Sequence, residues 1–202
     1  RPALDGHAGI PQETRLLFRG LGLLEGLQVE GLIQSSSRVL AQALPAGADG
    51  ALSIDQQINC LSRVVVSLQQ NPKPKISERL GSAVSLGIHP TWMLLRHLVG
   101  LRQPLGRFDA THFRDFIWRS LFARTLPYED FEAVTSAGFR VANVPWTAMH
   151  VIALLTLRLG HAIYPRLDTR GYDVMIAETP YPATVARGTQ LVVRYHDAIP
   201  VL

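Results

Sequence analysis

Tyr172–Ala177 (YDVMIA) and Gln190–Tyr195 (QLVVRY) are short apolar runs bounded by turn residues. Such runs are typical of strands buried inside a parallel sheet. The turn-rich segment Thr179–Pro182 lies between them, and His196 and Asp197 directly follow the second run. Open α/β sheets carry their ligand-binding groups at this carboxyl edge. The pattern therefore predicts an α/β sheet with a functional site beyond its second strand.

The start of the chain predicts a second junction between a strand, a glycine loop and a helix. Gly6 and Gly9 permit tight turns, and Pro11 suits the first turn of a helix. We expect this helix to end near Gly22, and the alternating segment Leu27–Ile33 to form the next strand. Leucines at helical spacing form its predicted apolar face: Leu16, Leu17, Leu21 and Leu24. Charged residues lie off that face: Glu13, Arg15 and Arg19.

The middle of the chain is predicted to be mostly helical. Ser35–Gly50 favours a short helix and a loop, and Ser53 with Gln56 resembles a capping box that opens a helix over Ile54–Leu68. Further helices are predicted at Trp92–Leu101, Ala110–Arg124, Tyr128–Ala137 and Thr147–Leu159. We therefore predict a Rossmann-like α/β core from residues 1–53 and 165–202, with a large helical insertion at residues 54–164.

Composition limits the function classes. The chain has 202 residues, of which 47% are hydrophobic and 18% charged, so a packed core is expected rather than disorder. The net charge is +4, and all basic residues except Lys73 and Lys75 are arginines. This favours an anionic partner or simply reflects compositional bias. No basic stripe or aromatic RNA-binding motif accompanies the arginines, so nucleic acid is disfavoured as a partner.

Location and membrane association are also predicted from the sequence. The single Cys60 forbids an internal disulfide, is expected to be a buried thiol, and, without a signal-peptide pattern, favours a cytoplasmic location. The longest apolar run, Met149–Leu157, is too short to span a bilayer, so it predicts a core helix or an interfacial one. Both ends look cut, and we expect the chain to be a piece of a longer protein.

Several common enzyme motifs are absent from the sequence. It contains no G-x-G-x-x-G, no phosphate-binding G-x-x-x-x-G-K-[ST] and no G-x-S-x-G. It also contains no D-x-D, and its histidines lack zinc-ligand spacing. We therefore predict no metal site.

Two segments remain that could carry chemistry. In Asp5–Gln12 (DGHAGIPQ), a glycine loop at a helix start can offer backbone N–H groups to an anion, or it can be an ordinary turn. His196 supplies an imidazole that titrates near neutral pH. Neighbouring side chains at a strand end point in opposite directions, so Asp197 is better placed to cap the following turn than to orient His196.

The two segments together, in this order, resemble retaining family-4 glycosyltransferases of the GT-B fold. The resemblance rests on Asp5–Gln12 and on His196–Pro200 (HDAIP), with Gly171–Val174 and Thr179–Pro182 similar to the family's strand and loop before the histidine. It covers residues 1–33 and 165–202. It implies that this chain is the Rossmann-like N-terminal half, which holds the acceptor and one wall of the cleft.

The resemblance also implies roles for particular residues. His196 would be the catalytic residue, close to the transferred sugar. The implied substrate-binding residues are Gly9, Ile10, Gln12, Tyr181, Arg194 and Asp197. The family uses a nucleotide-sugar donor as substrate and needs no metal or other cofactor. Its donor-binding C-terminal domain is absent from this chain, so we expect the chain alone to be inactive.

The expected function is hexosyl transfer to a glycan or lipid-linked glycan in bacterial surface polysaccharide synthesis. The expected partners are the nucleotide-sugar, the acceptor, the C-terminal domain and an anionic membrane surface, at the inner face of the plasma membrane. One alternative is another GT-B enzyme, such as a sugar-nucleotide epimerase. Another is a non-catalytic module that docks a membrane or a protein through arginines and aromatic residues of the helical block.

Overall fold

The structure is a computed structural model that describes residues 9–45, 47, 52–69, 93–97 and 99–194. It is a mixed α/β fold that divides into two compact units. The first compact unit comprises Arg1–Gln34, Ala41–Ser67 and Gly106–Val141. The second comprises Ser35–Leu40, Leu68–Leu105 and Ala142–Leu202. These boundaries differ from the predicted division into residues 1–53 with 165–202 and residues 54–164.

The first compact unit holds a small sheet and most of the helices. In chain order its main elements are α1 (Ile10–Gly22), β1 (Glu30–Gln34), α2 (Ile54–Gln69), β2 (Gly106–Phe108), α3 (Arg114–Ile117), α4 (Phe131–Thr135) and β3 (Gly138–Ala142). Two 3-10 turns, Thr111–Phe113 and Tyr128–Asp130, and a π-helical turn, Trp118–Phe122, connect them. The sheet has the order β1-β3-β2, and β2 pairs antiparallel to β3 with Phe108 opposite Phe139.

Local signals predicted α1, β1 and α2 well. Helix α1 ends at Gly22 as expected, and β1 lies slightly later than the predicted strand. The capping box at the start of α2 is confirmed, because the Ser53 N–H donates to Gln56 Oε1 at 3.0 Å and the Gln56 N–H donates to Ser53 Oγ at 3.3 Å. Cys60 is half-buried in α2, where its thiol donates to the Gln42 carbonyl at 3.2 Å.

The predicted helical block contains two strands that its pattern did not reveal, β2 and β3. Phe139 and Val141 are buried and alternate with Arg140, which is the period of a strand. The helix expected over Ala110–Arg124 is also wrong, since that segment is broken into 3-10, α and π turns. Residues 35–45 contain no helix, in contrast to the prediction for Ser35–Gly50.

The buried face of α1 was also predicted wrongly. Leu16 is 47% exposed, whereas Arg15 is only 1% exposed. Arg15 can be buried because its guanidinium donates to the Leu121 carbonyl and to Thr125 Oγ1, the latter at 2.7 Å. Burial, with a smaller contribution from the Arg124 cation, lowers the pKa of Arg15. One turn later, Arg19 binds Asp130 at 2.8 Å, which ties α1 to the 3-10 turn before α4.

Aromatic rings fill the core of the first compact unit. Phe18 of α1 packs on Phe122 and Phe139, with ring centroids 5.4 and 5.8 Å away. A Cβ added to Gly31 would lie 2.8 Å from the Phe139 ring. Strand β1 therefore packs so close to this ring that a larger residue at position 31 would clash. Between β1 and β3, Arg140 and Glu30 form a two-point ion pair, with the shorter N–O distance at 2.6 Å.

In its described residues, the second compact unit is built mainly on one long helix and a pair of strands. These are α5 (Trp146–Leu157), β4 (Val174–Ala177) and β5 (Gln190–Val193), and residues 93–97 are also helical. Its apolar core consists of buried side chains from α5 and the flanking loops: Met93, Leu105, Ala142, Val144, Ala148, Met149, Ile152, Leu167 and Ala183. Both predicted strands near the end of the chain are confirmed, and they pair in parallel.

Candidate functional site

The carboxyl edge of the β4–β5 pair is where the sequence predicted a site. The parallel register aligns Val174 with Gln190 and Ala177 with Val193, so the two strands end level with each other. The Arg194 N–H donates to the Ala177 carbonyl at 2.9 Å and extends the pairing by one residue. The residues that follow both strands therefore emerge side by side.

An ion pair lies directly at this edge. Glu178 follows β4 and Arg194 follows β5, with Arg194 Nη1 and Glu178 Oε2 3.6 Å apart. The Glu178 side chain is 9% exposed, whereas that of Arg194 is 42% exposed. A carboxylate held this way accepts hydrogen bonds from hydroxyl groups, and the exposed guanidinium can bind an anion. We call this pair the Glu178–Arg194 edge.

Core packing and buried hydrogen bonds anchor the loop between β4 and β5. Tyr181 packs against the core of the second compact unit. Thr169 is buried, and its hydroxyl accepts the Ala186 N–H at 2.8 Å and contacts Thr189 Oγ1 at 3.0 Å. Thr189 in turn donates to the Thr169 carbonyl at 2.9 Å. These bonds fix the connection that sets the parallel register.

A charged cluster precedes β4 on the same unit. Asp168 accepts two hydrogen bonds from Arg170, both at 2.7 Å, and lies 3.9 Å from Arg102 Nη1. The hydrogen bonds from the Arg170 side chain hold the pKa of Asp168 below its usual range. Arg170 is itself exposed, so this pair orders the surface loop more than it stabilises the fold.

Gly9 at the start of α1 has the turn backbone that the sequence predicted, whereas Gly6 and the rest of the predicted loop before Gly9 lie outside the described residues. Gly9 has φ 66° and ψ −136°, a conformation that non-glycine residues rarely adopt. Its carbonyl accepts the Glu13 N–H at 3.0 Å, and no side chain among the described residues caps this helix start. Gln12 is exposed and Ile10 half-buried. The first turn can therefore receive an anion from solvent.

The predicted site residues are distributed over the two units. Gly9, Ile10 and Gln12 lie in the first compact unit, and Tyr181 and Arg194 in the second. His196 and Asp197 lie outside the described residues. Within the second unit, the strands bring Arg194 next to a residue that the sequence analysis missed.

The missed residue is Glu178. Its position directly after the run Val174–Ala177 was a usable signal, because the residue after a parallel strand faces the binding edge just as the one after β5 does. The rings of Trp146 and His150 in α5 stack at 4.9 Å with an interplanar angle of 13°, and His150 is exposed.

Within the described ranges, no group of three or more His, Cys, Asp or Glu side chains could hold a metal ion. None of the helices in the described part of the chain is long and apolar enough to cross a bilayer.

Comparison with known proteins adds no family. No family model matches this sequence, and no curated protein or solved structure matches it significantly.

Proposed function

We propose that this chain is the acceptor-side domain of a retaining GT-B glycosyltransferase that moves a sugar from a nucleotide-sugar to a glycan or lipid-linked glycan. The observation that supports it is the level ending of β4 and β5, which sets Glu178 beside Arg194, two residues before His196 in the sequence. A paired carboxylate and guanidinium at this edge suit a hydroxyl-rich ligand that carries charge.

The proposed residues would act mainly by positioning. Glu178 would accept hydrogen bonds from sugar hydroxyls, while Arg194 would face the charged part of the donor. His196 would form a hydrogen bond with the transferred sugar. Retention by a front-face route needs a fixed donor and acceptor and a stabilised leaving phosphate rather than a protein nucleophile.

Transfer requires a donor-binding domain, which we propose lies elsewhere in a longer protein. We further propose that the reaction occurs on the cytoplasmic side of a bacterial membrane, needs no metal and serves surface polysaccharide synthesis.

The test uses the protein that joins this chain to the proposed donor-binding domain. Release of nucleoside diphosphate from a panel of nucleotide-sugars is measured with and without lipid-linked acceptor. We expect His196→Ala to lower turnover by about 10²–10³-fold, the usual effect of removing one preorganised hydrogen-bonding group that acts on the transition state. His161→Ala is the matched control, because His161 is an exposed histidine of the second compact unit and should leave turnover unchanged.

Two outcomes would count against the proposal. Turnover of His196→Ala equal to that of His161→Ala would remove His196 from the site. Loss of transfer on addition of EDTA would contradict a metal-independent family. Glu178→Gln gives a further check, since it should raise KM for the sugar ligand because it weakens hydrogen bonds to hydroxyl groups.

A further inference from the structure

Helix α5 is apolar on the side that faces away from the core as well as on the core side. Its inward residues are buried: Ala148, Met149, Ile152, Ala153 and Thr156. On the outward side, Leu154, Leu155 and Leu157 are 50%, 53% and 56% exposed, and Leu159 just beyond the helix is 85% exposed. Surface helices normally carry polar residues on this side, so four exposed leucines within residues 154–159 mark an interaction surface.

The stretch of sequence that carries these leucines contains basic residues but no acidic ones. No Asp or Glu occurs in the sequence between Glu132 and Asp168. Arg158 lies among the leucines and is exposed, and the exposed His161 and Arg166 follow it. Tyr164, an amphipathic side chain that suits a membrane interface, is 41% exposed nearby in the sequence. We call Leu154, Leu155, Leu157 and Leu159, together with Arg158, the leucine–arginine face.

We propose that the leucine–arginine face docks on the surface of an anionic lipid bilayer. Exposed leucines beside an arginine can enter the boundary between headgroups and acyl chains while the cation remains among lipid phosphates. The absence of acidic residues from this stretch removes repulsion from an anionic surface. At 1.5 Å per residue, α5 is about 18 Å long, too short to span a bilayer but long enough to lie on one.

This surface does not depend on the proposed sugar transfer, so the two proposals can fail separately. Lipid binding needs no donor, acceptor or second domain. The 202-residue chain itself is therefore the protein to test.

The first experiment is co-sedimentation with vesicles of phosphatidylcholine alone or mixed with phosphatidylglycerol. We expect pelleting with the mixed vesicles and much less with phosphatidylcholine. Leu155→Glu with Leu159→Glu should weaken binding by about tenfold or more. The matched control is Leu23→Glu with Leu24→Glu, since both leucines are 56% exposed and belong to the first compact unit. It makes the same charge change and should bind like the unaltered chain.

The charge requirement has its own matched pair. Arg158→Glu should lower binding to the anionic vesicles, whereas Arg187→Glu should not, because Arg187 is exposed on the second compact unit but lies outside the leucine–arginine face. If both variants lose vesicle binding equally, net charge alone explains the attraction. That result would overturn the assignment of this face.

The second experiment leaves most of the face intact. An environment-sensitive fluorophore is attached to Leu159→Cys in a Cys60→Ser background and, as a control, to Leu24→Cys. We expect a blue shift with anionic vesicles for the label at 159 alone. No shift at 159, or equal pelleting of both glutamate pairs, would overturn the proposal. A concentration-dependent dimer that Leu155→Glu with Leu159→Glu abolishes, without vesicle binding, would assign the face to a second copy.

Discussion

Arg15 shows how a single charged side chain can belong to a core. Its guanidinium reaches a carbonyl and a hydroxyl on the segment that follows α3, and its chain is buried with the aromatic cluster of the first compact unit. The hydrogen bonds offset the cost of removing the cation from water. A partner far along the chain therefore determines which face of α1 is buried.

We expect Arg15→Ala to destabilise the protein by about 2–4 kcal/mol, because it opens a cavity and leaves the Leu121 carbonyl and Thr125 hydroxyl without their donor. Urea denaturation followed by circular dichroism measures the change. Arg119→Ala is the control, since Arg119 is exposed, and it should change stability by less than about 0.5 kcal/mol. Similar midpoints for the two variants would show that Arg15 is not part of the core.

Sequence reasoning at this scale succeeded where the signal was local. Gly9 and the Ser53–Gln56 box were predicted correctly because a turn or a cap depends on neighbouring residues. The burial of Arg15 could not be predicted, because the helical period of α1 does not indicate that Leu121 and Thr125 will supply hydrogen-bond acceptors. Glu178 could have been found, whereas its pairing with Arg194 required the register of two strands.

At the scale of elements, the strands of the two sheets differ in how well the sequence predicts them. Strands β4 and β5 are apolar runs separated by turns, so their identity and carboxyl edge were predictable. Strand β3 is hard to detect in its helix-rich stretch, because its burial alternates only over Gly138–Val141 and so short a period is weak. Its pairing with β1 and β2 joins distant segments, and local propensity carries no information about that choice.

The connection between β4 and β5 depends on Thr169. We expect Thr169→Val, which keeps the side-chain shape, to cost about 1–3 kcal/mol because the Ala186 N–H and Thr189 hydroxyl lose a buried partner. Thr184→Val is the control, since the Thr184 side chain is exposed. Amide hydrogen exchange should show faster exchange at β5 in the Thr169 variant alone. Unchanged exchange there would mean that the parallel register is held by other contacts.

At the scale of the whole molecule, the chain passes repeatedly between the two compact units. The first unit needs Gly106–Val141, and the second needs both Leu68–Leu105 and Ala142–Leu202. No single cut separates them. The sequence analysis divides the chain differently, with residues 1–53 and 165–202 as the α/β core and residues 54–164 as one insertion, and that division stays a prediction.

This connectivity makes a prediction about fragments. We expect the separate fragments 1–105 and 106–202 to lack dispersed amide resonances, because each contains incomplete parts of both units. Mixing the two should restore dispersion, since together they supply every segment. A fragment that folds alone would show that one unit does not need its later segments.

The same connectivity sets an order of events on the ribosome. The last segment of the first unit ends at Val141, so that unit can close its core before the remainder of the chain is translated. Met93 and Leu105 are made earlier but are buried against Met149 and Ile152 of α5, which emerge later. Their apolar side chains therefore stay exposed until α5 has been translated. The nascent chain therefore presents a binding site for chaperones that the finished protein no longer has.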